Sequence, residues 1–353
     1  MSRLNRYVSR AVLSASLGSL AVIVGLDALT ALVDEVGKIS SAYRFSDVLV
    51  YVFFTLPSRV YEYIPFACLI GALMGLGKLA ASSELVVIQT GGRSLLQIAG
   101  MTLRPAMLMA LLGFVVGEWV APTTEQIAVS QKAMAQRKQA SMTSAVGAWN
   151  RDQNTFVHVA AVQRGGVAFD VSLLEYDDQQ QLKRSVRAER GTFLESYWLL
   201  ENVEATLFEA DRLSIESVTT LRWDTAITPN LLALEVVEKE NLPVTQLWDY
   251  ARYLEQQGLM FRDVELAFWR KLLQPVAIIG LVLIAMSFIF GPLREGNMAR
   301  RIFAGVIVAV IFRISQDFFG PASLLFGFPV LLSALIPIGF CIGVGAWLLT
   351  RRA

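Results

Sequence analysis

Charged side chains set in apolar surroundings are the residues of this chain best placed to do chemistry. Lys38, Arg44, Arg59, Arg270 and Lys271 stand at or near the ends of long apolar stretches, and Arg313 and Asp317 stand inside one. A charge at the bilayer centre costs roughly 2.5–3.5 kcal/mol on insertion scales, so such groups pair with one another or face a cavity. Their spacing offers Arg59 to Glu62, and Arg313 to Asp317, as pairs on one helix face. The other reading is that the basic groups meet anionic lipid head groups. Asp27, in the first stretch, has no partner nearby in sequence and is expected to face another helix.

Other chemistries are poorly provided for. The single histidine, His158, excludes a histidine-based metal centre or a serine–histidine relay by count, and it reads as a half-exposed strand residue. No metal site is expected. Cys68 and Cys341 both lie in apolar stretches, so no disulfide framework is expected. Gly71 to Leu79 approximates a phosphate loop, but its spacing is one residue too long and Leu79 replaces the hydroxyl residue that holds magnesium. It reads as packing glycine with an interfacial Lys78, so no nucleotide or other cofactor is expected on this chain. A net charge of +1 offers no basic field for nucleic acid.

The elements that carry these residues follow from composition. Hydrophobic residues make up 54% of the chain and charged residues 17%, far too apolar for an ordinary soluble chain. A helix needs about 20 apolar residues to cross the hydrocarbon core. Stretches 11–33, 57–79, 96–121, 264–290, 302–320 and 330–350 meet that need. The first is longer than a signal-peptide core, and no cleavage site follows it. Arg3, Arg6 and Arg10, then Lys78, Arg93 and Arg104, then Arg294, Arg300 and Arg301, and finally Arg351 and Arg352 all fall on one side of six spans. The positive-inside tendency makes that side, and both termini, cytoplasmic.

Segment 46–56 is apolar but precedes Pro57, and reads as an interfacial helix leading into the second span. Small-residue pairs at Gly71/Gly75, Gly113/Gly117 and Gly339/Gly343 read as packing seams within the chain or as contacts with a second membrane subunit. Residues 123–262 form a polar insert on the outer side. Thr155 to Val159, Val167 to Val171, Leu182 to Ala188, Tyr197 to Leu200, Ala205 to Phe208 and Val218 to Trp223 read as short strands. Gly165-Gly166, Asp177-Asp178 and Glu209-Ala210-Asp211 mark turns, and the whole suggests an all-β sandwich or jelly roll. Its acidic residues are scattered and lack a partnered base, which argues against a membrane enzyme acting on lipid. Leu242 to Gln257 reads as a helix stopped by Gly258.

The loop 80–93 differs from its surroundings. Ser82 or Ser83 caps a short helix of about residues 82–91, Glu84 sits in its first turn, and Gly91-Gly92 stops it. Two turns are too few to be stable alone in water. Its exposed face is expected to carry Leu85, Val86 and Ile88, apolar groups that dock into a cytoplasmic partner while Glu84 pairs with a basic residue there. A helix lying flat on the membrane surface is the simpler alternative.

These residues, with Gly117-Glu118-Trp119-Val120-Ala121-Pro122, Leu234 onward into Tyr250 to Leu254, Ser287 to Arg294 and Asp317-Phe318-Phe319-Gly320-Pro321, carry a resemblance over essentially the whole chain. The chain resembles the LptF/LptG (YjgP/YjgQ) permeases of the lipopolysaccharide export transporter. The resemblance implies an α-helical membrane protein of six spans with an inserted β-jellyroll domain. Its parts are spans one to three over 1–122, the periplasmic domain over 123–262 and spans four to six over 263–353. It implies an inner-membrane permease paired with LptF, above two copies of the ATPase LptB, with LptC and through it the bridge protein LptA as further partners. ATP and magnesium are bound by the ATPase alone.

By the same resemblance Ser83, Glu84, Leu85, Val86 and Ile88 form the coupling helix that docks on LptB. Lipopolysaccharide enters from the outer leaflet into a cavity between the two permeases. Lys38, Arg59, Arg270, Lys271 and Arg313 are its candidate contacts, with Asp27, Glu62 and Asp317 as intramembrane polar partners. Lys38 matches a phosphate-contacting lysine of relatives, whereas Ser58 stands where a second is expected and Ala31 where some relatives are basic. An LptF-like role in the same complex, or an assembly or tethering protein that moves nothing, are the alternatives.

Overall fold

The computed structural model of the chain describes residues 3–39, 43–136, 148–152, 154–163, 166–177, 179–194, 196–209, 212–225, 227–229, 232, 239–256, 261–291 and 297–351. Features expected at Gly165, Asp178, Ala210, Asp211, Leu234, Gln257, Gly258, Pro292 to Arg294 and Arg352 lie outside these residues.

Among the described residues six helices are long and apolar enough to cross a membrane. Helices α1 (Arg3–Val36) and α2 (Phe45–Ala81) are followed by the short α3 (Glu84–Thr90). Helix α4 (Leu95–Val115) runs through one π-helical turn, Val116–Val120, into α5 (Ala121–Gln136). After a sheet come α6 (Val244–Gln256), α7 (Arg262–Ile289), α8 (Met298–Phe326) and α9 (Val330–Thr350). Local chemistry sets several ends. The Ser94 side chain accepts from the Gln97 N–H to cap α4, the Asn297 side chain accepts from the Arg300 N–H to cap α8, and Gly327 ends α8 at a φ of 75°.

Most helices outrun their expected apolar stretches, because polar residues continue a helix once it is nucleated and backbone bonding is obligatory in lipid. Segment 46–56 is not a separate interfacial helix. It is the first part of α2, which passes through both Pro57 and Pro65. A proline interrupts the bonding ladder locally, and in an apolar span neighbouring side chains and helices make good the loss. The Gln274 side-chain amide of a later helix, for instance, donates at 3.0 Å to the Tyr61 carbonyl, the one that Pro65 leaves without its helical partner.

The chain forms two compact units, one of residues 1–30, 56–121 and 243–353 and one of 31–55 and 122–242. The core of the first is built from Leu69, Leu73, Leu76, Ile98, Ile278, Leu281 and their neighbours on α1, α2, α4 and α7 to α9. Two of the small-residue pairs are seams within this unit. A Cβ on Gly75 would lie 2.8 Å from the Val12 Cα, and Gly71 abuts Ser16, so α1 crosses α2 backbone to backbone. Gly113 and Gly117 receive the Ile64 and Tyr61 side chains of α2. Gly339 and Gly343 have open space beside them.

The second unit holds a six-stranded antiparallel sheet in sequence order, β1 (Ala148–Asp152), β2 (Thr155–Gln163), β3 (Val167–Tyr176), β4 (Leu182–Leu194), β5 (Tyr197–Glu209) and β6 (Arg212–Asp224). The described strands thus form one meander rather than the two sheets of a sandwich. Tyr197 to Leu200 and Ala205 to Phe208, expected as separate strands, are one strand. Between them Asn202 takes a φ of 51°, which asparagine tolerates.

Asp170 on β3 does the same at 49°. In each of β2 to β5 the buried positions step by three residues at this row instead of two: Val159 to Val162, Ala168 to Val171, Ala188 to Gly191 and Leu200 to Val203. Asp170 and Asn202 fall between ladder pairs, so the step is shared across the sheet without any slip in register. Trp198 lies fully buried in the core of this unit and donates its indole N–H to the Ile227 carbonyl at 2.8 Å.

His158 is buried against the Trp149 ring, 4.8 Å between centroids, rather than half-exposed. The aromatic neighbour on β1, a strand not expected from the sequence, covers it.

Candidate functional site

Helix α3 exists where expected, between Ser83 and Gly91, but it is made differently. Ser83 sits in the left-handed region at a φ of 60° and makes no side-chain cap. The Ser82 hydroxyl instead lies 2.9 Å from the Glu84 carboxylate and 3.1 Å from the Lys78 carbonyl, tying the helix start to the end of α2. Tyr7 of α1 donates its hydroxyl to Glu84, and with Ser82 it holds that carboxyl below the usual carboxylate range. Gly92, at a φ of 85°, turns the chain away after α3.

The exposed face is not the expected one. Leu85 and Ile88 are buried, with 4% and 7% of their surface accessible, and belong to the core of the helical unit. Val87 is 67% exposed and Val86 is at 36%. The physical reason is that so short a helix needs tertiary contacts to exist, and its i and i+3 positions supply them. What remains outward is Glu84, Val86 and Val87, an acidic and apolar point standing on a buried footing.

The intramembrane charges are paired, partly in ways that spacing did not suggest. Asp27 faces α2, as expected, where Arg59 forms an ion pair with it and the Tyr63 hydroxyl donates to it at 2.8 Å. Glu62 pairs with Arg313 of α8 at 2.6 Å rather than with Arg59. Arg313 also reaches Asp317 at 3.0 Å, so one guanidinium lies between two carboxylates, and among the described residues that cluster carries a net negative charge. Arg270 donates to the Gln316 carbonyl.

Lys271 is buried and donates to the Gly117 carbonyl at 2.7 Å, with its ammonium 5.3 Å from the Tyr61 ring centre. The π-helical turn explains that partner. Ala121 donates to Val116, and the next residue, Pro122, has no N–H to give, so Gly117 loses its partner along the helix. The neighbouring Glu118 carboxylate accepts the Val244 N–H at 2.8 Å and caps α6. The Gly-Glu-Trp-Val-Ala-Pro run is therefore a junction at which α2, α4, α6 and α7 are held.

Lys38 belongs to a cluster whose other members the sequence reading missed. Glu35 on α1 is buried, and its Oε1 accepts from Lys38 at 2.6 Å and from Lys132 of α5 at 2.7 Å. The Tyr43 hydroxyl donates to Oε2 at 3.3 Å, and burial, followed by that carboxylate, raises the tyrosine's own pKa. Lys132 also sits 4.4 Å from the centre of the Tyr51 ring. The signal for Glu35 was present in its i, i+3 relation to Lys38. Lys132 was hidden because Pro122 marks a helix end in sequence, whereas α5 continues to Gln136.

Two further groups came from the structure alone. Arg301 of α8 is buried, with its guanidinium on the Gly77 carbonyl of α2. On the sheet, a polar hollow of about 570 Å³ lies along the row that contains Asp170, Glu189 and Asn202, beside the Arg187–Asp170 ion pair at 3.1 Å.

Comparison with known proteins agrees with this organisation. A family model described as lipopolysaccharide export system permease LptF/LptG matches residues 6–351. The Haemophilus influenzae protein named lipopolysaccharide export system permease protein LptG is 30% identical over 357 residues, which covers 100% of this chain and 99% of that protein. The Escherichia coli K12 protein of the same name is 30% identical over 354 residues, covering 99% and 98%. With one family description spanning residues 6–351 and relatives aligned from end to end, the chain belongs to the LptF/LptG family of lipopolysaccharide export permeases.

Proposed function

We propose that the chain is the LptG-type permease subunit of a transporter that lifts lipopolysaccharide from the outer leaflet of the bacterial inner membrane and passes it to a periplasmic bridge. The end-to-end likeness to proteins named as such permeases carries this reading. LptF is its partner permease, LptC joins the pair and leads to LptA, and two copies of LptB bind beneath. Both termini and α3 face the cytoplasm, and residues 123–262 face the periplasm. The clustering of Arg3, Arg6, Arg10, Arg93, Arg300, Arg301 and Arg351 on one side supports that orientation.

The physics of the cargo requires an energised partner. Each methylene moved from lipid into water costs about 0.8 kcal/mol, so a lipid with several acyl chains cannot leave the bilayer unaided. An apolar cavity between the two permeases receives the chains, and closure of the ATPase pair, which holds ATP and magnesium, squeezes it shut. The outward point of α3 receives that stroke. Its footing, Leu85 and Ile88 in the helical core, transmits it to the spans. Among the basic candidates Lys38 is the strongest phosphate contact, because its cluster alone combines an exposed ammonium with positive charge in excess.

The test is ATP-dependent release of lipopolysaccharide from vesicles reconstituted with the complete complex, with and without this chain. Release that needs this chain, and that Glu84→Ala abolishes while the complex still inserts, is the expected result. Equal release without the chain overturns the proposal, and leaves an assembly or tethering role.

A further inference from the structure

The cluster around Glu35 has an arrangement that a simple phosphate-binding lysine does not need. One carboxylate oxygen serves two ammonium groups, at 2.6 and 2.7 Å, and among the described residues the cluster holds one more positive than negative charge. The two lysines differ in freedom. The Lys38 side chain is 51% exposed, whereas Lys132 is 14% exposed and Glu35 is 6%. Lys132 is further fixed by the Tyr51 ring, and Glu35 by the Tyr43 hydroxyl. The neutral Glu35–Lys132 pair is therefore the stationary part. Lys38 is the arm that can leave, since its departure breaks one contact and strands no buried charge.

We propose that Glu35 is an internal stand-in for a phosphate monoester. It occupies Lys38 while no lipid is present, yields Lys38 to a lipid phosphate on arrival, and takes it back to let the phosphate go. The proposal rests on the reading of Lys38 as a phosphate contact, and adds to it a competitor that sets how tightly the phosphate is held. A ligand exchanged in this way trades one anion for another at the same ammonium, so no uncompensated charge is created at either end of the exchange.

The experiment uses the assembled permease–ATPase complex in detergent and measures binding of fluorescent lipopolysaccharide, either intact or with its lipid phosphates removed. Glu35→Gln is expected to tighten binding of the intact lipid roughly tenfold, within the usual range for coupled sites, and to slow its ATP-driven release. The dephosphorylated lipid is expected to bind both proteins alike. Glu35→Gln paired with Lys132→Gln leaves the cluster's net charge as it is in the native chain, so tightening in this double variant reports lost competition rather than added charge. The double variant also removes the ammonium group that Glu35→Gln alone would strand, and so guards against loss of folding. Inorganic phosphate added as a competitor is expected to leave binding of the intact lipid unchanged. Competition by it at millimolar concentration would overturn the assignment of the anion to a lipid.

If Lys38→Met weakens binding of the intact lipid while neither Glu35 variant tightens it, Glu35 is merely structural and the proposal falls alone. If Lys38→Met has no effect on either lipid, the reading of Lys38 fails and takes the proposal with it. Equal tightening for both lipids also overturns it, because the effect would then not pass through phosphate.

Discussion

Lys271 of α7 supplies the hydrogen bond that Pro122 denies to the Gly117 carbonyl. The two oddities, a buried lysine and a proline just past a π-helical turn, are one arrangement. Lys271→Met keeps the aliphatic stem and removes the donor, so it should cost about 1–3 kcal/mol, the penalty for orphaning a buried polar group. A lowered melting temperature of the detergent-purified complex reads this out. Pro122→Ala returns a backbone N–H, and in combination should recover part of the loss. If the two substitutions simply add, the link between them is wrong.

Helix α3 presents one face and buries the other, which separates docking from folding. Val87→Asp, on the exposed face, should weaken association with the ATPase about tenfold or more, leaving the inserted permease as heat-stable as before. Leu85→Asp, in the core, should instead lower yield and melting temperature, because it buries a charge without a partner. Pull-down of the ATPase beside a melting curve for each variant distinguishes the two. Indistinguishable behaviour of the variants would contradict the assignment of faces.

The Tyr7 hydroxyl and Ser82 keep Glu84 ionised below the usual carboxylate range. A carboxyl whose folded pKa is depressed keeps its charge-dependent interactions as pH falls past the ordinary value of about 4.3, and loses them only on passing the lower one. Tyr7→Phe removes the larger of the two bonds. The acid limb of ATPase docking should then move to higher pH, with docking at neutral pH nearly unchanged. A pH series of co-purification checks this, and an unmoved acid limb refutes it.

In the sheet, Trp198→Ala should destabilise the β unit by about 3–5 kcal/mol, from lost burial and the cavity left behind. It also strips the Ile227 carbonyl of its donor. Trp198→Phe should cost less. Loss of near-ultraviolet circular dichroism on heating the full chain is the measurement.

The membrane architecture was legible because apolar length is a blunt signal that survives any detail of packing. Gly71 and Gly75 announced a close helix crossing, and Asp27 announced an unseen partner. What the sequence concealed was continuity and pairing at long range. Pro57 and Pro122 look like helix ends, yet α2 runs on because lipid makes an interrupted ladder cheaper than a broken helix, and α5 because its proline stands in the first turn, where proline is tolerated. Once α5 continues, Lys132 comes to Glu35 across a separation of 97 residues. Glu62 meets Arg313 across 251 residues. Local spacing cannot see either pair. The faces of α3 were misjudged for a related reason, since a helix of seven residues is defined by what it leans on rather than by its own pattern.

The shared step at Asp170, Glu189 and Asn202 bears on how this domain can change. Deleting Asp170 alone would restore strict alternation in β3 with Ala168, Val171 and Leu173 still on one side, but would slip Val171 and Leu173 one residue out of register with β2 and β4, which keep their extra residue. A viable indel at that latitude must therefore arise in adjacent strands in concert. Lineages of this domain should gain or lose length at the hairpin tips and conserve it along this row, and libraries built by random single-codon deletion should show the same scar.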